Sequence, residues 1–153
     1  MNLTILAIGK MKKNAPEKIL IDDYIKQSGW PIKIIELEEK KALTGQALKE
    51  AQSDLLFKNI PQNAKIIVLD ERGENISSHQ FAQKLISWQD TGCRNIALLI
   101  GGADGHSDTL RQKADFVLSF GKMTLPHMLL RTVLCEQLYR AYTISIGHPY
   151  HKD

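Results

Sequence analysis

The sequence predicts an α/β fold built on a mostly parallel sheet, on three observations. Five short apolar runs rich in β-branched residues recur along the chain. Segments with helical period lie between them. The runs are nearly continuous rather than alternating, as strands covered on both faces require. Strand and helix in alternation then give a layered sheet with crossover helices.

The elements follow in order. "LTILAIG" (3–9) is the first strand, and Pro16 opens a helix in which Ile19, Leu20, Tyr24 and Ile25 recur on one side. "IKIIEL" (32–37) is the second strand, followed by a helix capped by Thr44 with a stripe of Ala47, Leu48, Ala51, Leu55 and Leu56. "KIIVLD" (65–70) is the third. Ser77 with Gln80 then forms a capping-box pattern for a helix that buries Phe81, Leu85 and Trp88. "NIALLIGG" (95–102) leads to a short helix capped by Ser107, and "DFVLSF" (115–120) is the fifth strand. Pro126 opens a long last helix with a stripe of Leu130, Val133, Leu134, Leu138 and Ala141.

A chain of 153 residues without repeat, linker or low-complexity tract reads as one domain, 1–153. Its 43% hydrophobic and 24% charged residues are those of an ordinary globular protein. A net charge of +3 permits a nucleic-acid partner without demanding one. Cys93 and Cys135 share no metal-type spacing and suit a reducing compartment. The opening "MNLTILAIGK" has no basic segment before its apolar run, which is too short for a signal peptide or a membrane span, so the expected location is the cytoplasm.

Three loops carry the candidate chemistry, all expected at the carboxyl edge of the sheet, where open α/β folds bind ligands. In "LLIGGADGHSD" (98–108), Gly101, Gly102 and Gly105 let backbone approach a ligand closely, although a ligand-free strand-to-helix turn has the same look. Spacing and position depart from the G-x-G-x-x-G dinucleotide fingerprint, and no P-loop lysine follows. "VLDERG" leaves the third strand at Leu69 and Asp70, with a charged surface turn as the competing reading. "LSFGKMTLPH" leaves the fifth with free amides and carbonyls that suit an uncharged heterocycle such as adenine.

On the last helix His127 and Arg131 share a face, as do Glu136 and Arg140, in the better order for an ion pair. The chain ends in "IGHPYHKD". His148, Tyr150, His151 and Lys152 offer imidazoles, an aromatic face and a cation, the mixture that holds single-stranded nucleic acid. A metal at the H-x-x-H spacing is the weaker idea, because Asp153 is its one nearby partner, and no metal is expected.

"LLIGGADG", "KMTLPHMLLRTVLCEQLYRA" and "HPYHK" together resemble the ribosomal large subunit RNA methyltransferase H family, the pseudouridine N3-methyltransferases of the SPOUT superfamily. The resemblance covers essentially the whole chain. It implies a SPOUT-type α/β knot, with a C-terminal trefoil knot that general topology rules would not suggest. It also implies a homodimer packed partly through the last helix. By position, S-adenosyl-L-methionine would contact Leu69, Gly101, Phe120, Gly121, Lys122, Met123, Thr124 and Leu125. The tail would close the site, one built with the partner subunit. The implied target is a pseudouridine of helix 69 in 23S rRNA, met in the assembled ribosome. Ala103-Asp104 replaces a proline-glutamate pair common in the family, and Lys152 an arginine whose planar fork lysine lacks.

Transfer from a sulfonium needs no metal, only a methyl carbon held against N3 and help in removing its proton. The expected roles are His148, Tyr150 and His151 at the base, and Arg131, Arg140 and Lys152 on phosphates. Two other classes compete. A dinucleotide oxidoreductase would need glycines near the first strand, where "LAIGKMKK" has one; a non-catalytic ribosome-binding factor would have no reason for a cofactor loop.

Overall fold

A computed structural model describes residues 1–152. Its five strands, β1 (Asn2–Ile8), β2 (Ile32–Leu37), β3 (Ala64–Glu74), β4 (Asn95–Ile100) and β5 (Phe116–Leu118), form one sheet in the order β2-β1-β4-β3-β5. Every neighbouring pair is parallel, as the continuous apolar runs predict. Helices α1 (Pro16–Gln27), α3 (Ser78–Asp90) and α5 (His127–Ser145) cover one face, and α2 (Gly45–Lys58) and α4 (Asp108–Gln112) the other. Alternate strand residues serve the two layers: Leu3, Ile5 and Ala7 pack toward α1, α3 and α5, whereas Leu6 and Ile8 pack toward α2 and α4. Each fully buried Leu or Ile contributes about 1.5–3 kcal/mol of transfer free energy.

Most caps form as expected. Ser77 and Gln80 make both bonds of the capping box, and the Ser107 hydroxyl accepts from the Leu110 N–H. Thr44 occupies the cap position of α2 without a side-chain bond, and Pro126 sits one residue earlier than expected, at the cap of α5.

Three expectations are corrected. In α1 the inward residue is Ile21, with Tyr24 and Ile25 packed beside it, while Ile19 and Leu20 are 75% and 51% exposed. The true stripe begins at Ile21 (i, i+3, i+4), a register the run "ILI" leaves ambiguous. The α2 stripe is narrower than expected: Ala47 is exposed, and Ser53 and Leu56 are the buried residues.

The third correction concerns β3, which does not end at Asp70. It breaks its ladder with β5 after Leu69 and rejoins at Glu74, both residues being registered on Leu118. Asp70–Gly73 is therefore an excursion within a strand rather than a turn leaving it. Gly73 permits the return, since a Cβ there would meet the Val117 carbonyl oxygen at 2.5 Å.

Candidate functional site

The carboxyl ends of β3, β4 and β5 open on a cleft of about 480 Å³, within the range of small-molecule sites. Leu69 and Ile100 form its floor, Gly101–His106 one wall, Asp70–Arg72 another, and Phe120–Leu125 a third. The start of α5 contributes His127 and Leu130. All the residues expected at the methyl donor line this cleft except Lys122, which is exposed beside it. Sequence-distant loops meet here because parallel connections bring every strand's carboxyl end to one edge.

The third wall is shaped by backbone. Residues 119–126 belong to no helix or strand. Ser119 bridges the loop onto itself: its hydroxyl donates to the Gly121 carbonyl and accepts from the Gly121 N–H, both at 3.1 Å. The Asn75 amide donates to the Ser119 carbonyl at 3.1 Å, and the Ser119 N–H to the Glu74 carbonyl at 2.9 Å. The β3 excursion thus anchors the loop.

The wall at Asp70 is charged and ordered. Arg72 grips the Asp70 carboxylate through Nε and Nη2, both at 2.9 Å, and through its own N–H at 3.0 Å. Burial alone would raise that carboxyl group's pKa. The Arg72 bonds and the Arg111 charge outweigh burial and lower it, so Asp70 is a fixed anion.

The tail lies elsewhere. Pro149–His151 form a short 3₁₀ turn, whose preceding residue His148 accepts the Tyr150 N–H at Nδ1 (3.1 Å). The Tyr150 ring packs 4.6 Å from the Tyr139 ring and beneath the Arg140 guanidinium at 5.0 Å. Its hydroxyl donates to Glu136 at 3.2 Å. His151 meets His79 edge-on at 5.9 Å. Burial first, then Tyr24 and Glu136, raise the pKa of the Tyr150 phenol, which holds its proton at neutral pH. These contacts answer why the terminus is rich in rings: it is pinned to the second half of α5. The cleft lies at the first turn of α5, about 13 Å away along a helix rising 1.5 Å per residue. Lys152 is exposed.

Arg131 is not a phosphate ligand. It is 1% exposed, donates to the Ile8 and Gly9 carbonyls at 3.2 and 2.8 Å and pairs with Glu36 at 3.0 Å. The charge expected on the surface instead closes the carboxyl end of β1. Arg140 is half-buried and committed to Glu136 at 2.5 Å, as the helix spacing predicts.

A family profile described as "Predicted SPOUT methyltransferase" matches residues 1–151. The chain belongs to the SPOUT methyltransferase family. It is 49% identical over 152 residues to the Ribosomal RNA large subunit methyltransferase H of Paramagnetospirillum magneticum, covering 99% of both chains. It is 46% identical over 160 residues to the protein of that name from Ruegeria pomeroyi, again covering 99% of both. A probable methylase family protein from Haemophilus influenzae shares the fold, with a TM-score of 0.54 and 11% identity over 99% of this chain and 70% of that one.

The resemblance read from the three motifs is thereby borne out, as is the α/β fold with its parallel sheet. In this SPOUT methyltransferase sequence reasoning missed four wall residues: Lys49, Arg72, His106 and His127. Lys49 and Arg72 had the signal of any surface cation, which does not set them apart. His127 stands at the start of α5, with a buried Nδ1 that has no hydrogen-bond partner. Among the described residues no helix is long and apolar enough to cross a membrane.

Proposed function

We propose that the chain transfers a methyl group from S-adenosylmethionine to N3 of a pseudouridine in helix 69 of 23S rRNA, in the assembled ribosome. The observation that carries this reading is the convergence of Leu69, Gly101 and the loop Phe120–Leu125 on one cleft. The relatives' printed name supports ribosomal RNA as the substrate. The cleft fits the donor in size, and its mixed wall of apolar side chains and loop backbone suits an adenosine. When bound, the donor supplies an electrophilic methyl group on a sulfonium.

The chain's own residues do the rest. Leu69, Ile100, Leu118 and Leu125 exclude water from the reacting end, and the Ser119-anchored loop fixes the nucleoside. Holding the methyl carbon in line with the base nitrogen supplies most of the rate. Tyr150 keeps its proton, so its part is to stack on the uracil ring, with Arg140 steadying its face. His148 and His151 are the tail groups able to accept the N3 proton, and Lys152 meets phosphate.

A tail fixed about 13 Å from its own cleft reaches a second copy's cleft more readily. The active unit in this reading is a homodimer in which the tail of one subunit completes the other's site. Ile19 and Leu20, exposed on a helix packed beside α5, support a contact between copies. The family's trefoil knot belongs to the same reading, as does action in the cytoplasm, where ribosomes are found. Subunit complementation tests it: a chain lacking residues 148–153 and a Gly101→Val chain are each inactive as homodimers and regain methyl transfer when mixed. No regain in mixed dimers would overturn the shared site.

A further inference from the structure

His106 ends the glycine turn that follows β4, and nothing in the expected donor set includes it. Its side chain is 2% exposed, yet neither ring nitrogen has a hydrogen-bond partner. Buried polar atoms are nearly always paired, so two orphans on one ring call for a reason. The ring forms part of the cleft wall. Gly101 makes room for it: a Cβ there would stand 3.1 Å from His106 Cε1. Two more buried polar atoms around the same turn lack partners, Oε1 of Gln52 and Nε of Arg111. The turn is otherwise well satisfied, since the Ser107 N–H donates to Ser53 at 2.9 Å and the Gly105 N–H to the Gly102 carbonyl at 3.0 Å. The unmet capacity is therefore concentrated on side chains at the cleft.

The charge state of the imidazole is set by its surroundings. Burial lowers its pKa to about 4; the Asp70 carboxylate and the main chain at Leu69 and Leu99 oppose this without making a hydrogen bond to the ring, and Arg111 reinforces it. The ring is neutral throughout the physiological range. A neutral imidazole offers one N–H donor and one acceptor nitrogen. A purine nucleoside carries complementary groups, acceptor ring nitrogens and donor amino or hydroxyl groups. A cationic ring would instead repel the sulfonium and could not accept.

We infer that His106 is a donor-binding residue of this methyltransferase, hydrogen-bonding the nucleoside half of the methyl donor and so helping to select it. This rests on the reading that the cleft holds S-adenosylmethionine. The imidazole is the one fully buried, fully unpartnered side chain among the described wall residues, and its bonds are made only when a nucleoside fills the cleft.

Calorimetry with S-adenosylhomocysteine tests the inference on the full chain. His106→Leu keeps the bulk and removes both polar atoms; it should weaken binding about tenfold, the effect of losing a buried hydrogen bond to a ligand. His106→Asn, which keeps a donor and an acceptor, should recover part of that loss. In steady state the Leu variant should raise KM for S-adenosylmethionine and leave kcat within about twofold, a split that a packing defect would not produce. On the wild-type chain, the ¹⁵N signals of the His106 ring should move on adding S-adenosylhomocysteine and report a neutral tautomer, a readout that needs no variant to fold. Unmoved ring signals, or equal affinity for wild type and His106→Leu, would overturn the role of His106 and leave the cleft's ligand standing. No binding to the wild-type dimer would remove the donor reading and this inference with it.

Discussion

Arg131 and Glu36 form an ion pair at 3.0 Å although they lie 95 residues apart, and the pair closes the carboxyl end of β1. The same Glu36 carboxylate accepts the Met11 N–H, so one contact joins β2, the loop after β1 and α5. Replacing Arg131 with Leu leaves Glu36 and the Ile8 and Gly9 carbonyls without their donor. Glu36 is partly exposed, which softens the loss, and we expect a destabilisation of about 2–4 kcal/mol. Urea denaturation measures it. An Arg131→Leu chain as stable as wild type would contradict this structural role.

Gly73 bears on the cleft itself. A methyl group there would collide with the Val117 carbonyl, so Gly73→Ala must push β3 from β5 and move the Asp70–Arg72 wall. Overpacking of this kind costs about 1–3 kcal/mol. Donor affinity should fall together with stability, as calorimetry and urea denaturation on the same sample would show.

Acid should act on two groups in separate windows. His106 has a folded-state pKa near 4 against an ordinary 6.5, so the unfolded chain binds the proton first. Stability is therefore lost as pH falls from 6.5 toward 4, by about 3 kcal/mol at most. Asp70 is lowered below the ordinary 3.8, and its contribution is lost only as pH falls below that value. His106→Leu should flatten the upper window and leave the lower one. Urea denaturation across both windows separates them, and identical pH profiles for wild type and variant would refute the assignment.

The layered sheet was legible because burial on both faces writes continuous β-branched runs, and the Ser77–Gln80 box because its two bonds are local. The reach of β3 was hidden, since "DERG" reads as a turn and its strand character comes from Glu74 meeting β5. Arg131 was misplaced for a related reason: a charge on a helix looks solvated until its partner, far off in sequence, is seen. The cleft's glycines and loop could be read from their order along the chain. His106 could not, because its isolation is a property of the folded wall.

Deleting residues 148–153 separates binding from transfer. The tail rests on Tyr139, Arg140 and Glu136 rather than on the cleft wall of its own chain. Affinity for S-adenosylhomocysteine should stay within a few-fold, while methyl transfer falls by ~10²-fold or more with the loss of the base and stacking groups. A truncated chain that methylates ribosomes at the wild-type rate would exclude the tail from the reaction.

The most direct measurement offers labelled S-adenosylmethionine and the full chain to ribosomes that carry or lack pseudouridines, and maps the modified base. The account predicts one labelled N3-methylpseudouridine in helix 69 of 23S rRNA, present only when the pseudouridine is there. Label on another base, or no label on intact ribosomes from a chain that binds the donor, would contradict it.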